Sequence, residues 1–145
     1  MRVSMKVDYG VRALIDLAQH HGQGPVQTAE IATRQSVPEP YLDQLLTTLR
    51  KAGFIRSRRG PQGGHVLAIV PDDINLSMVI NTLEGLSPPI DCIDGTLACT
   101  WSSHCVQQEV WKAIDQATHK VLDATTIGEL AKRQKLREAG LTYYI

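Results

Sequence analysis

No apolar run in this 145-residue chain approaches the ~18 residues that would suggest a membrane span. The opening residues Met1-Arg2-Val3-Ser4-Met5-Lys6 lead into an amphipathic segment rather than the apolar core of a signal peptide, so a cytoplasmic protein without membrane contact is expected. There are only three cysteines, an odd number, which argues against a disulfide framework and for reduced thiols with a chemical use. There is no glycine-rich nucleotide loop, no internal repeat and no low-complexity segment. No cysteine has an evident His–acid pair to orient it, so an enzyme built on a cysteine nucleophile is not expected. The length leaves no room for a second full domain. What is present is 43% hydrophobic residues against 21% charged, enough apolar material for a core and unlike a disordered chain.

The net charge is also absent, but only as a sum. Residues 1–69 carry nine basic and five acidic side chains, and residues 70–145 carry six basic and ten acidic. Arg50, Lys51, Arg56, Arg58 and Arg59 fall within ten residues with no acid among them, whereas residues 70–111 contain no Lys or Arg. One end suits a polyanion and the other a different task.

The hydrophobic spacing predicts a mainly helical fold with one small β-hairpin. A first helix is expected from Val7 to Ala18, with Val7, Val11, Leu14, Ile15 and Ala18 on one side and Asp8, Arg12, Asp16 and Gln19 on the others. It stops before His21-Gly22-Gln23-Gly24-Pro25. Val26-Gln27 reads as a very short strand, and Thr28 as the N-cap of a brief helix from Ala29 to Arg34. A third helix begins near Pro38 or Pro40, carries Leu42, Leu45, Leu46 and Leu49 on its inner side, and stops at Gly53. Two short helices joined by a tight turn, the second with a polar face, fit a helix-turn-helix.

Phe54–Arg58 and His65–Ile69 alternate like strands around the turn-forming loop Arg59-Gly60-Pro61-Gln62-Gly63-Gly64, which makes a hairpin with a basic tip. A hairpin directly after a helix-turn-helix is the wing of a winged helix. Thr28, Pro40, Tyr41, Asp43, Gln44, Thr47, Thr48, Arg50 and Lys51 are then candidates for base edges and phosphates. Arg56, Arg58 and Arg59, with Gly60 and Gln62 at the tip, are candidates for backbone neutralisation or a narrow minor groove.

A fourth helix over Leu76, Val79, Ile80 and Leu83 closes at Gly85, and a loop follows that holds Cys92, Cys99 and Cys105. Beyond it Val106, Val110, Ile114, Ala117 and Val121 form one apolar stripe on a long helix, the sign of a partner helix and hence of a homodimer. Thr126-Ile127-Gly128-Glu129 has capping-box form and opens a last helix with Leu130, Ala131 and Leu136. The chain thus divides into a winged helix-turn-helix (1–85), a cysteine loop (86–105), and a dimerisation helix with the C-terminal helix (106–145). A dimer would present two reading units to a palindromic double-stranded operator, with half-sites at multiples of about 34 Å.

The cysteine spacing is not that of a zinc ribbon and is wider than ferredoxin runs. Three thiolates from one loop can hold a metal or cluster with one more ligand from His104, Gln108, Glu109, Asp91, Asp94 or the first helix of a dimer partner. A Cys92–Cys99 redox disulfide, or cysteines with no special use, are the alternatives.

Several stretches carry a family resemblance that spans nearly the whole chain. They are Asp8-Tyr9-Gly10-Val11-Arg12-Ala13-Leu14, Ala29-Glu30-Ile31-Ala32, Tyr41-Leu42-Asp43-Gln44-Leu45-Leu46, Leu49-Arg50-Lys51-Ala52-Gly53, Ser57-Arg58-Arg59-Gly60-Pro61-Gln62-Gly63-Gly64-His65 and Ile80-Asn81-Thr82-Leu83-Glu84-Gly85, followed by the three-cysteine loop. The chain resembles the IscR/NsrR family of bacterial winged-helix regulators. The resemblance implies a homodimeric transcription factor that holds an iron–sulfur cluster through Cys92, Cys99 and Cys105 and changes promoter affinity with the cluster's state. Where members with a [2Fe–2S] cluster often have a ligating histidine, this chain has Gln108. Asp8 matches the aspartate that a nitric-oxide-sensing branch contributes across the dimer to a [4Fe–4S] cluster. The resemblance therefore favours Asp8 from the partner subunit as fourth ligand, with His104 as runner-up, and [4Fe–4S] over [2Fe–2S]. Asp43 stands where the family often has glutamate, at a position tied to promoter choice. The alternative is a cluster-free regulator that senses redox state through bare thiols.

Overall fold

Helix α1 (Met5–Gln19) is the element against which most of the others are laid. In the computed structural model, which describes residues 2–95, 99–101 and 103–143, it starts two residues earlier than the apolar spacing suggests. The reason is Ser4, whose hydroxyl accepts from the Val7 N–H at 3.2 Å and also donates to the Glu84 carboxylate. Helix α2 (Thr28–Gln35) likewise begins one residue before its expected start. Gln27 takes the cap position, and the Glu30 carboxylate accepts its backbone N–H at 2.9 Å. Thr28 is therefore the first helical residue and not the N-cap.

The turn from α2 to α3 (Glu39–Lys51) passes through Ser36 in the left-handed region, at φ 53° and ψ 46°. Left-handed backbone is costly for a residue with a Cβ, so Ser36→Gly is expected to stabilise the fold by about 0.5–1 kcal/mol, net of the glycine's greater unfolded-state freedom. A thermal melt that does not rise would refute it. Helix α3 sends Leu42, Leu45, Leu46 and Leu49 into the core, each no more than 1% exposed. At about 1.5–3 kcal/mol per fully buried leucine, that stripe fixes the rotation of α3 and so decides which residues face solvent.

Strands β1 (Ile55–Arg58) and β2 (Gly64–Leu67) pair antiparallel, Ile55 opposite Leu67 and Arg58 opposite Gly64. The second strand starts one residue earlier and ends two residues sooner than its alternation indicates, and Pro71–Asp73 forms a 3-10 turn. Val26 adds a single bridge to the hairpin, its N–H and C=O exchanging bonds of 2.9 and 2.8 Å with His65.

Helix α4 (Leu76–Leu83) lies close to α1, where a Cβ on Gly10 would stand 2.4 Å from the Leu83 side chain. The long helix α5 (Val106–Ala124) packs on α4 and buries Leu122. Grouped by sequence with α5 in residues 106–145, α6 (Ile127–Tyr143) packs along α1 and the 3-10 turn, and Ile127 and Ala131 join the main core. The Thr126 hydroxyl caps α6 by accepting the Glu129 N–H at 3.1 Å. A bridge between Asn75 and Thr126 fastens the start of α6 beside the start of α4.

Asp16 departs most from its expected place. It lies on the side of α1 opposite solvent, 1% exposed, and among the described residues is the buried charge of the core. Arg34 from the end of α2 donates to both its carboxylate oxygens, at 2.9 and 2.8 Å, and the Gln35 amide donates at 3.1 Å. The Arg34 pKa is raised by its bond to Asp16, with desolvation opposing and the nearby charges of Asp16 and Glu30 adding. This fork fixes the helix-turn-helix to α1.

Candidate nucleic-acid interface and cysteine loop

The leucine stripe leaves Asp43, Gln44, Thr47, Arg50 and Lys51 exposed along the outer side of α3, with Pro40 exposed in its first turn. The Thr47 and Thr48 hydroxyls donate back to the carbonyls of Asp43 and Gln44 at 2.8 and 3.1 Å. Tyr41 is a partial correction. It is half-buried, packed edge-on to Tyr9 at 5.7 Å, so part of its ring serves packing rather than an outward contact.

Arg56, Arg58, Arg59, Gly60 and Gln62 are all exposed on the wing. Among the described residues, neither these arginines nor Arg50 and Lys51 form an ion pair with an acid within 4.0 Å. An unpaired row of cations beside a polar helix face has no internal charge to satisfy it and is suited to phosphates. The tip is tightly folded: the Gly63 N–H donates to the Gly60 carbonyl at 2.9 Å, and a Cβ on Gly63 would fall 2.0 Å from the Arg58 carbonyl oxygen. The Gln27 amide donates to the Pro61 carbonyl at 3.2 Å, bracing the tip against the start of α2.

His65 is the residue that spacing did not single out. Its ring bridges Ser57 on β1 and Thr28 on α2, at 2.7 and 2.9 Å. Desolvation lowers its pKa below the ordinary 6.5, Asp43 opposing and Arg50 adding to the shift. A histidine in a wing strand directly after Gly-Gly is the only sequence signal that it had.

The cysteines lie on the loop before α5 as expected. All three are free, Cys92 and Cys105 half-buried and Cys99 exposed. The Gln108 side chain, in the first turn of α5, donates to the Cys92 carbonyl at 3.4 Å, a long bond that draws the two ends of the loop together. His104 meets Ser103 through Nδ1 at 2.8 Å. Asp8 stands on α1, paired with Arg12 at 3.0 Å. Among the described residues no three His, Cys, Asp or Glu side chains converge as a metal site within one chain. The donor chemistry, three thiols on one short loop, fits an iron–sulfur cluster in ligand type.

On α5 the predicted stripe stands in solvent. Val106, Val110, Ile114 and Val121 are 81, 55, 45 and 63% exposed, and Ala117 is exposed with them. Among the described residues, no helix is long and apolar enough to cross a membrane.

A leucine-anchored helix-turn-helix with a polar outer face, followed by a basic hairpin, is the architecture of a winged-helix DNA-binding protein. The chain belongs to the Rrf2 family of transcriptional regulators, whose family model, described as an iron-dependent transcriptional regulator, matches residues 3–133. CymR of Bacillus subtilis is 35% identical over the full length of both chains. Its solved structure, named as that of the global cysteine regulator, aligns with a TM-score of 0.80 at 37% identity, over 92% of this chain and 98% of that one. IscR of Aliivibrio salmonicida is 36% identical over 90% of this chain and 77% of its own length. The solved structure of T. potens IscR aligns with a TM-score of 0.76 at 41% identity, covering 92% of this chain and 88% of that one. The protein is a DNA-binding transcriptional regulator.

Proposed function

We propose that the protein is a homodimeric repressor of a palindromic promoter, controlled by an iron–sulfur cluster held by Cys92, Cys99, Cys105 and the partner subunit's Asp8, with His104 as the alternative fourth ligand. The observation that carries this reading is the placement of three free thiols on one loop that Gln108 joins to the start of α5. A cluster with three thiolates and one weaker ligand supplies a labile iron, responsive to oxidants, nitric oxide or iron supply.

The chain's own residues account for the coupling. The apolar stripe on α5 supports a second copy as its cover, which would set the two winged units at a fixed separation. The cysteine loop meets α5 at its first turn, so a change in the loop bears directly on the helix that spaces those units. A coupling of about 1–3 kcal/mol is enough to alter operator affinity about 5- to 150-fold.

Iron and acid-labile sulfide analysis with visible absorption, on protein purified without oxygen, tests the reading. Near-equal iron and sulfide is the expected result, four of each per subunit for [4Fe–4S] and two for [2Fe–2S]. Colourless, iron-free protein that still binds DNA would overturn it in favour of a thiol-based regulator. That second reading has its own support in the exposure of Cys99 and the likeness to a global cysteine regulator.

The wing has a separate test. Arg59→Ala is expected to weaken operator binding at low salt and, with one arginine lost from each subunit of the dimer, to reduce the slope of log affinity against log salt by about two. An unchanged slope would remove Arg59 from the interface.

A further inference from the structure

His65 lies on neither the recognition helix nor the row of wing arginines, yet it joins the parts that surround them. Its Nδ1 is 2.7 Å from the Ser57 hydroxyl oxygen on β1, and its Nε2 is 2.9 Å from that of Thr28, the first residue of α2. Its backbone N–H and C=O are both engaged by Val26. Gly64 runs so near the same segment, at φ 146°, that a Cβ there would stand 2.5 Å from the Val26 carbonyl oxygen. The seam between the wing and the start of α2 is therefore close-packed, and the ring sits at its end.

We infer that His65 is a positioning residue for DNA binding, which locks the wing to the start of α2 and aims the Thr28 hydroxyl as a donor to a backbone phosphate. The inference rests on the reading of Thr28 and the wing as parts of the DNA-contacting surface. A neutral imidazole carries one donor and one acceptor. With the proton on Nε2, the ring donates to Thr28 Oγ1 and accepts the Ser57 O–H at Nδ1, which leaves the Thr28 O–H to donate outward. With the proton on Nδ1 both bonds reverse, and Thr28 spends its hydrogen on the ring. An anionic acceptor at Thr28 selects the first arrangement and aligns the three groups in one direction, each bond strengthening the next. Burial of the ring maintains the neutral form that this relay uses.

The test is a double-mutant cycle on full-length protein, with duplex DNA selected by the wild type from a random pool as the probe. Thr28→Val and His65→Phe are each expected to weaken binding about tenfold, since each removes one contribution to a charge-assisted hydrogen bond. Together they should weaken it by little more than either alone. His65→Gln, which keeps a donor and an acceptor, should recover part of the loss. If His65→Phe unfolds the wing, Ser57→Ala gives the same information through the other end of the relay: Thr28→Val should cost clearly less in the Ser57→Ala background. Losses that simply multiply, or an unchanged affinity for Thr28→Val, overturn the inference. Wild-type protein that selects no duplex DNA would instead defeat the underlying reading.

Discussion

Cys99→Ala protein, purified without oxygen, is expected to be colourless, with iron and sulfide reduced to background. Cys99 is the exposed cysteine and stands between the two half-buried ones, so its removal leaves Cys92 and Cys105 without the third thiolate. Two thiolates and one oxygen or nitrogen ligand fall short of the set that ordinarily retains a cluster. The fold should be little affected, because Cys99 is exposed and stands outside the main hydrophobic core. The expected signature is thus complete loss of visible absorption beside an unchanged thermal melt, with operator affinity settling at the value of cluster-free wild type. Retention of full iron and sulfide by the variant would refute the ligand assignment. A wild type that never holds iron, with Cys99→Ala altered only in its response to oxidants, would point to the bare-thiol regulator.

Arg34→Met should destabilise the fold by about 3–5 kcal/mol. The two ends of the Arg34–Asp16 pair are unequal. Arg34 is 38% exposed at its side chain and can return to water, whereas Asp16 is 1% exposed and cannot. Removing the arginine strands a buried carboxylate on Gln35 and His20, at 3.1 and 3.6 Å. Asp16→Asn keeps a polar group of the same shape and leaves Arg34 partly solvated, so it should cost distinctly less. Chemical denaturation of both variants checks the order, and equal losses would show that the pair contributes little beyond packing. Against a total stability of about 5–15 kcal/mol for a domain, the larger loss is enough to populate unfolded protein at physiological temperature.

The parts of the fold that were legible in the sequence are those governed by local spacing. Leu42, Leu45, Leu46 and Leu49 announce the inner side of α3, and the Gly-Pro-Gln-Gly-Gly loop between two alternating runs announces the wing. The stripe on α5 was legible for the same reason, as a surface apolar at regular intervals. Contacts between residues far apart in sequence were not. Asp16 reads as one more polar position on α1, because nothing local shows that Arg34 reaches it from α2. Tyr41 sits on the outward side of α3 by spacing, but Tyr9 turns it toward packing. Thr28 has the composition of a cap, yet Gln27 takes the cap position and the Thr28 hydroxyl oxygen meets the ring of a histidine thirty-seven residues on. The return of α6 to α1 was hidden by its weak amphipathicity and by the length of chain between them. The cysteines were legible as a set on one loop, but among the described residues the fold brings no further ligand together with them.

Burial along α5 is uneven, and mechanics follow from it. At its C-terminal end the helix buries Leu122 and runs into Thr125, whose carbonyl accepts the Leu76 N–H at 3.0 Å, while Val106 at the other end is 81% exposed. Nineteen residues at 1.5 Å each make a rod of about 28 Å, riveted at one end and loose at the other. Such a rod is a cantilever: a small push at the loose end turns the whole length about the rivet. Softening the rivet, for instance with Leu122→Ala, should therefore leave the thiols and the DNA-facing side chains intact while absorbing the motion before it passes between them.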